Sequence, residues 1–199
     1  MILKGREQEE SATNSIQVVN EGKSNLMPGT SLFKVVVCGD ANVGKTSLIM
    51  QFVEQKFSEQ YVQTIGTNFA ITDVPLADDE SVKLHLWDLA GQDKFAFVRP
   101  QFYKGTHGAM LVYDLTNRES FDTLHAWKEE VTQNANKTVI FYLFGNKSDL
   151  DGERVITTAE GEEMAQDLGA VQFWETSAKT GDNVIDAFHA IAETLFSAA

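Results

Sequence analysis

The sequence FKVVVCGDANVGKT, residues 33–46, joins a short apolar run to a glycine-containing loop. The run is rich in β-branched residues and predicts a buried strand at 33–38, and helical spacing follows from about residue 45 to about 55. Between them, residues 39–46 match the pattern G-x-x-x-x-G-K-[ST]. In such a loop the backbone curls so that its N–H groups point at phosphate oxygens, and the positive end of the helix adds to the attraction. We therefore predict a phosphate-binding loop in which Lys45 reaches the terminal phosphates and the Thr46 hydroxyl binds Mg²⁺.

Strands and helices alternate along the rest of the chain. Extended segments at 68–76 and 81–87, joined by the polar residues 77–80, predict an antiparallel hairpin. The helical stretches separate further apolar runs, which predicts an α/β fold with a six-stranded, mostly parallel sheet, one antiparallel strand and helices on both faces. The further strands are expected at 109–113, 139–144 and 171–174, and the further helices at 119–134, 159–168 and 184–196. In the last helix the residues at core spacing are Ile185, Phe188, Ile191, Ala192 and Leu195.

The amino-acid composition argues against several classes of protein. The chain has 199 residues with 29 Asp and Glu against 16 Lys and Arg, a net charge of −13, which argues against nucleic-acid binding. Its single cysteine, Cys38, excludes an internal disulfide and a multi-cysteine zinc site, and favours a reducing, cytoplasmic setting. Residues 1–31 are polar and aperiodic, so we expect a flexible N-terminal extension followed by one folded domain at 32–199.

The sequence NKSD, residues 146–149, follows a predicted strand at the sheet edge where open α/β proteins bind ligands. The Asp149 carboxylate could accept hydrogen bonds from the N1–H and 2-amino groups of guanine, a donor pair that adenine lacks. Residues 175–179, ETSAK, would add backbone N–H groups and a second lysine stem to cover the base. Taken alone, NKSD is equally compatible with an ordinary surface turn.

The sequence DLAGQ, residues 88–92, follows the second strand of the predicted hairpin. Asp88 would hold the Mg²⁺ hydration shell, Gly91 would donate its N–H to a γ-phosphate, and Gln92 would orient an attacking water. Thr64 could close over the metal through its hydroxyl. Each residue alone also fits a structural role, such as capping a turn, but their shared order and spacing indicate binding and hydrolysis of a nucleoside triphosphate.

Together, GDANVGKT, Thr64, DLAGQ, NKSD and ETSAK resemble the five guanine-nucleotide motifs of the Ras superfamily, over about residues 32–197. Within it the chain is most similar to the Rab family, in TIGTNF at 64–69, KLHLWDLAGQ at 83–92 and FYKG at 102–105. The resemblance implies the P-loop small GTPase fold, Mg²⁺ as cofactor, and bound GTP or GDP. It also implies slow hydrolysis of GTP and control of vesicle traffic through effectors, a guanine-nucleotide exchange factor and a GTPase-activating protein.

The resemblance assigns roles to further residues. Phe57 would lie edge-on against the guanine, and Tyr61 would close over the phosphates. Effectors would contact Ile65 and an aromatic triad of Phe69, Trp87 and Phe102, although core packing is an equal alternative for Phe69 and Phe102. The catalytic candidates are Gln92 and Lys45, and the metal candidates are Thr46, Thr64 and Asp88. The nucleotide-binding candidates are Asp40, Ala41, Asn42, Val43, Gly44, Lys45, Thr46, Ser47, Phe57, Tyr61, Thr64, Gly91, Asn146, Lys147, Asp149, Ser177, Ala178 and Lys179.

Several positions depart from the family pattern. Ala41 and Asn42 stand where Ras has two glycines, and their side chains would crowd the γ-phosphate and slow hydrolysis. Because Gln92 is retained, we expect an active GTPase; the alternative is a hydrolysis-deficient, nucleotide-bound scaffold. A P-loop metabolic kinase ranks third, since it needs no base-selecting NKSD. Arg99 is the only local candidate for an arginine finger in cis, and an arginine supplied by a partner is the favoured source.

The C-terminus also departs from the Rab pattern. Rab chains normally continue beyond the last helix into a tail that ends in prenylated cysteines, whereas this sequence stops at the helix. We expect either a truncated chain or an atypical member without a lipid anchor. Contact with the cytosolic face of an endomembrane is expected only if a lipidated tail is missing.

Overall fold

One mixed β-sheet forms the centre of the molecule. The computed structural model describes residues 31–57, 64 and 66–199. Within these residues the strands are β1 (Ser31–Cys38), β2 (Thr67–Pro75), β3 (Ser81–Leu89), β4 (Gly108–Asp114), β5 (Ile140–Asn146) and β6 (Gln172–Thr176). Their order in the sheet is β2-β3-β1-β4-β5-β6, with β2 antiparallel to β3 and every other pair parallel. The predicted fold class is confirmed, including the hairpin, whose turn is closed by a 2.8 Å bond from the Leu76 N–H to the Glu80 carbonyl.

Helices cover both faces of the sheet, and one of them differs from its prediction. The α-helices of the described residues are α1 (Lys45–Glu54), α2 (Arg118–Asp122), α3 (Leu124–Asn134), α4 (Thr158–Asp167) and α5 (Val184–Ser197). The prediction of a single helix at 119–134 is wrong, because the chain breaks at Thr123 into α2 and α3. There the Thr123 hydroxyl donates to the Ser120 carbonyl, and the Ser120 hydroxyl donates to the Asn117 carbonyl. Such back-bonding competes with the helical ladder and bends it.

The strand residues alternate between two separate cores. Val35 and Val37 pack in the cluster that includes α1 and α5, whereas Val36 and Cys38 pack in the cluster that includes α3 and α4. The predicted core stripe of α5 is confirmed for Phe188, Ile191, Ala192 and Leu195. It is wrong for Ile185, which is 38% exposed, since the stripe begins at Val184 and continues through Ala187.

The topology brings the predicted motifs to one edge of the sheet. Strands β1, β3, β5 and β6 run parallel, so the loops that follow them emerge at their shared carboxyl edge. The phosphate loop, DLAGQ, NKSD and ETSAK are at or just beyond these strand ends. Since β1 begins at Ser31, the predicted extension lies almost wholly outside the described residues and stays a prediction.

None of the helices in the described part of the chain is long and apolar enough to cross a membrane.

Candidate functional site

The loop between β1 and α1 wraps around the amino group of Lys45. This side chain is buried, and its Nζ donates to the carbonyls of Gly39 at 2.7 Å and Asp40 at 2.6 Å. Burial lowers the pKa of Lys45, and the nearby Asp88 charge acts in the opposite direction. Asn42 and Gly44 take the left-handed backbone, with φ of 67° and 97°. The loop thus has the curled form that directs N–H groups toward an anion.

Asn146 connects the phosphate loop to the loop after β6. Its buried Nδ2 donates to the Val43 carbonyl at 2.8 Å, and its Oδ1 accepts the Ala178 N–H at 3.2 Å. A Cβ on Gly44 would lie 2.1 Å from this Nδ2, so only glycine fits there. Asn146 therefore positions two binding loops relative to each other.

The three metal candidates converge on one point. The hydroxyls of Thr46 and Thr64 lie 2.9 Å apart, and both donate to Asp88 Oδ2, at 2.5 and 3.1 Å. The second carboxylate oxygen of Asp88 is buried and has no hydrogen-bond partner among residues 31–57, 64 and 66–199. Burial raises the pKa of Asp88, and the charge of Lys45 opposes this effect.

This oxygen set fits Mg²⁺, which prefers hard oxygen ligands and takes few from the protein because it keeps waters and substrate phosphates. One carboxylate with two hydroxyls supplies such ligands, and among the described residues one Asp88 oxygen keeps its lone pairs unused by any donor. The described residues contain no cluster of three or more His, Cys, Asp or Glu side chains that could hold a metal. Thr46, Thr64 and Asp88 are thus the residues that would hold the ion.

The loops after β5 and β6 lie side by side. Asp149 is exposed, and its Oδ1 accepts the Ser177 hydroxyl at 2.6 Å. Lys147, in the left-handed backbone, pairs with Asp114 Oδ2 at 2.6 Å. The candidates Ser177 and Ala178 are buried, and Lys179 is exposed. The accessible carboxylate of Asp149 is therefore held by a hydrogen bond from Ser177, at the position predicted to bind the nucleobase.

The DLAGQ segment packs directly on the phosphate loop. A Cβ on Gly91 would lie 2.3–2.5 Å from the backbone of Asp40 and Ala41, so the two loops touch through their backbones. Arg99, the less favoured candidate for the arginine finger, is engaged by other groups, and the favoured source, an arginine from a partner, stays a prediction. The Arg99 guanidinium is buried and donates to both Glu130 carboxylate oxygens, at 2.7 and 2.8 Å, and to the Gln92 carbonyl at 3.1 Å.

The aromatic triad forms a contiguous cluster on β2, β3 and the turn after Val98, with Phe69 stacked on Trp87 and Phe102 tilted against it. Ring centroids are 5.6 Å apart between Phe69 and Trp87 and 5.8 Å apart between Trp87 and Phe102. Phe69 is 50% exposed and so does not belong to the core, whereas Trp87 and Phe102 are half-buried against it. The trio therefore presents apolar surface to solvent while resting on the interior.

Of the remaining predicted site residues, some lie within the described part of the chain and others do not. Phe57 is 40% exposed just beyond α1, and Ser47 lies in the first turn of α1. Tyr61 and Ile65 lie outside the described residues, so their predicted roles stay predictions.

Sequence reasoning missed the residues that support the site from behind. Asp114 pairs with Lys147, Glu130 pairs with Arg99, and the Trp127 indole N–H donates to Asp40 Oδ1 at 2.7 Å. Helical spacing marks Trp127 only as a core residue. The one available signal was Asp114, a carboxylate that ends a buried strand at the same sheet edge.

A comparison with known protein families supplies the remaining evidence. The Ras family model matches residues 34–197, well over half of the chain, and the match spans every loop described above. Members of this family are GTP-binding switches that hydrolyse GTP and generally act with GTPase-activating proteins, exchange factors and effectors. The chain therefore belongs to the Ras family of small GTPases, and it binds GTP and hydrolyses it.

Proposed function

We propose that this protein is a Rab-like switch that regulates vesicle and membrane traffic by binding effectors in its GTP-bound state. The observation that carries the proposal is the contiguous aromatic triad of Phe69, Trp87 and Phe102, of which Phe69 is half exposed. Half-exposed aromatic side chains on a rigid sheet are favoured anchors for protein partners, because they bury a large area at low entropic cost. Phe69 lies on β2, the strand that follows Thr64, so partner binding and the nucleotide site share one segment.

The hydrolysis mechanism assigns a role to each side chain. Water attacks the γ-phosphate in line, and Gln92 orients that water. Lys45 and the N–H groups of the phosphate loop stabilise the charge that develops on the phosphate oxygens. Bound Mg²⁺, held by Thr46, Thr64 and Asp88, would neutralise further phosphate charge. With Arg99 engaged by Glu130, a GTPase-activating protein supplies the arginine and adds about 10³ to 10⁵ in rate.

Guanine selection falls to Asp149, with Ser177 as its support. The 2.6 Å bond from the Ser177 hydroxyl fixes one carboxylate oxygen, and the carboxylate remains exposed toward solvent. The Asn146, Lys147, Ala178 and Lys179 positions complete the base pocket, with Phe57 at its rim. The remaining nucleotide contacts come from Asp40, Ala41, Asn42, Val43, Gly44, Ser47, Tyr61 and Gly91.

A single substitution tests base selection. In Asp149→Asn the carboxylate that accepts from guanine is lost, so we expect GDP affinity to fall by at least about tenfold, as for a charged hydrogen bond. Asp151→Asn is the matched control, because Asp151 lies in the same turn, is exposed and, within the described part of the chain, has Arg154 as its one ion-pair partner. Both variants are measured by fluorescent-nucleotide titration with GDP and ADP. Equal GDP affinity of the two variants would refute the role of Asp149.

The trafficking role is tested by effector binding. Protein loaded with GDP or with a non-hydrolysable GTP analogue is titrated against purified Rab-binding and Ras-binding domains. We expect Rab-binding domains to favour the GTP-analogue form, and Phe69→Ala to weaken them at least about tenfold. The control is Ile71→Ala, which truncates another exposed residue of β2. Selective capture by Ras-binding domains instead would reject the Rab-like assignment.

The proposal also includes a cytoplasmic location at an endomembrane surface, with a Rab-directed activator and exchange factor as partners. It includes a flexible extension at 1–31 before the folded domain at 32–199.

The competing function is a nucleotide-bound scaffold that does not hydrolyse GTP usefully. The side chains of Ala41 and Asn42 favour it, because they stand where Ras has two glycines and would crowd the γ-phosphate. Single-turnover hydrolysis separates the two functions: absence of phosphate release, even with a Rab-directed activator present, would leave only the scaffold.

A further inference from the structure

Helix α3 contacts both loops that the hydrolysis mechanism uses. Trp127 and Glu130 are three residues apart, so their side chains lie on the same helix face. The Trp127 indole N–H donates to Asp40 Oδ1 at 2.7 Å, and Asp40 precedes Ala41 in the phosphate loop. Trp127 is 6% exposed and Asp40 is half-buried, so this bond is a partly buried link between α3 and the phosphate loop.

Glu130 reaches the second loop through Arg99. Its two carboxylate oxygens accept from Arg99 Nε at 2.7 Å and Nη2 at 2.8 Å, and Oε1 also accepts the Tyr103 hydroxyl at 2.8 Å. The guanidinium lies 4.5 Å from the centre of the Trp127 ring. A bidentate pair combined with ring stacking fixes the plane of an arginine, and lysine cannot reproduce this arrangement.

The third guanidinium nitrogen of Arg99 points at the backbone around Gly91. Nη1 donates to the Gln92 carbonyl at 3.1 Å and to the Ala90 carbonyl at 3.4 Å, one residue on each side of Gly91. Gly91 in turn touches the Asp40 and Ala41 backbone. The loop that carries Gln92 is therefore in contact with two groups: Arg99, which binds its carbonyls, and the phosphate loop, which packs against Gly91.

We propose that Trp127 and Glu130 are positioning residues for GTP hydrolysis, which act by holding the phosphate loop through Asp40 and the Gln92 backbone through Arg99. This proposal rests on the proposed role of Gln92 as the residue that orients water. Neither α3 residue contacts the reacting atoms; both fix the backbone from which the reacting groups extend. Small displacements of such groups cost rate much more than they cost binding.

Variants of the two α3 residues separate rate from binding. Glu130→Gln keeps the shape but removes the charge that holds Arg99, and Trp127→Phe keeps the ring over Arg99 but removes the N–H donor. We expect single-turnover hydrolysis to fall about tenfold in Glu130→Gln and about threefold in Trp127→Phe, with GDP release changed less than about twofold. The control Glu129→Gln makes the same charge change on the exposed face of α3, where the one side-chain bond to Glu129 from the described residues comes from Gln133 on the same helix.

A double-mutant comparison distinguishes positioning from general destabilisation. In a Gln92→Ala background, Glu130→Gln should cause no further loss of rate, because the group it positions is already absent. An equal tenfold loss in that background, or a fall in GDP affinity parallel to the rate, would overturn the proposal. If Glu130→Gln does not fold, Arg99→Lys carries the same comparison, because Arg99 is the residue that holds the Gln92 carbonyl and lysine cannot reproduce its bidentate geometry. A Gln92→Ala protein that hydrolyses GTP at the normal rate would instead refute the proposed role of Gln92 in orienting water.

Discussion

Gly91 shows how one residue can couple two loops. The nearest backbone atoms of the phosphate loop would lie 2.3–2.5 Å from a Cβ at this position, closer than real side chains approach. In Gly91→Ala the loops must separate, so we expect a stability loss of roughly 1–3 kcal/mol, as for overpacking. We also expect slower single-turnover hydrolysis, since Gln92 moves with the loop. Urea unfolding and phosphate release measure the two effects.

The control for that change is Gly152→Ala. No atom lies within 4 Å of a Cβ there, and its backbone is not left-handed. We expect its stability to stay within about 0.5 kcal/mol of the parent. If the two alanine variants behave alike, close contact at Gly91 is not the cause of its effect.

Glu130 makes the stability of the protein depend on pH. Burial raises the pKa of this carboxyl, but hydrogen bonds from Arg99 and Tyr103 and the Arg99 charge outweigh it, so the pKa lies below its usual 4.5. A carboxyl with a lowered folded-state pKa stabilises the fold fully above the unfolded-state value and loses that contribution as pH falls through the folded-state value.

We therefore expect the stability gap between the parent and Glu130→Gln to be constant at neutral pH and to shrink below about pH 4.5. Urea unfolding of both proteins, in steps from about pH 7 to about pH 3, measures the gap. A gap that stayed constant down to the lowest pH would mean that the Glu130 charge contributes nothing.

Individual site residues could be predicted from the sequence where they belong to a motif of consecutive positions. The phosphate loop, DLAGQ, NKSD and ETSAK each follow a strand, and the backbone geometry of such loops depends mostly on local sequence. Trp127 and Glu130 were not predictable, because their partners Asp40 and Arg99 lie 87 and 31 positions away. Only the packing of α3 against the sheet brings these pairs together.

At the level of elements, hydrophobic pattern located the six strands and the regions of the α-helices among the described residues, but not the break at Thr123 or the short 3₁₀ helices at Asp93–Phe95, Arg99–Phe102 and Ser148–Glu153. The periodicity of residues 119–134 continues across Thr123, so pattern alone predicts one helix. The break comes from hydroxyl groups that donate to backbone carbonyls, a competition that periodicity does not report. The predicted end of β3 also differs from the observed one. The strand continues past Trp87 to Leu89 because it pairs with β2, and hydrophobic pattern does not report such pairing.

The start of α4 offers a prediction at this level. Thr157 accepts the Glu160 N–H, and Glu160 accepts the Thr157 N–H, which together form a capping box. Thr157→Ala removes the cap, and we expect a loss of about 1 kcal/mol in unfolding free energy. Thr132→Ala, on the exposed side of α3, is the matched control and should be neutral or slightly stabilising. Equal losses in the two variants would mean that the cap adds nothing to stability.

For the whole molecule, the sheet order explains why distant motifs form one site. Loops after β1, β3, β5 and β6 meet at one edge, and Asn146 joins two of them by direct hydrogen bonds. A nucleotide at this edge would bridge segments from both ends of the domain. Because such a ligand binds only the folded chain, it must stabilise the entire domain rather than a single loop.

We expect GDP with Mg²⁺, at about a thousandfold excess over its Kd, to add about 4 kcal/mol to the stability of nucleotide-free protein. In a domain of this size that corresponds to a rise in melting temperature on the order of 10 °C. Thermal unfolding with GDP, ADP and GDP plus EDTA measures the effect.

ADP should give no shift in melting temperature, because adenine lacks the N–H donors whose hydrogen bonds Asp149 accepts. EDTA should reduce the shift caused by GDP, because Asp88 then faces the phosphates without a cation. A full shift with ADP would contradict base selection by Asp149, and an undiminished shift in EDTA would contradict the metal role of Thr46, Thr64 and Asp88.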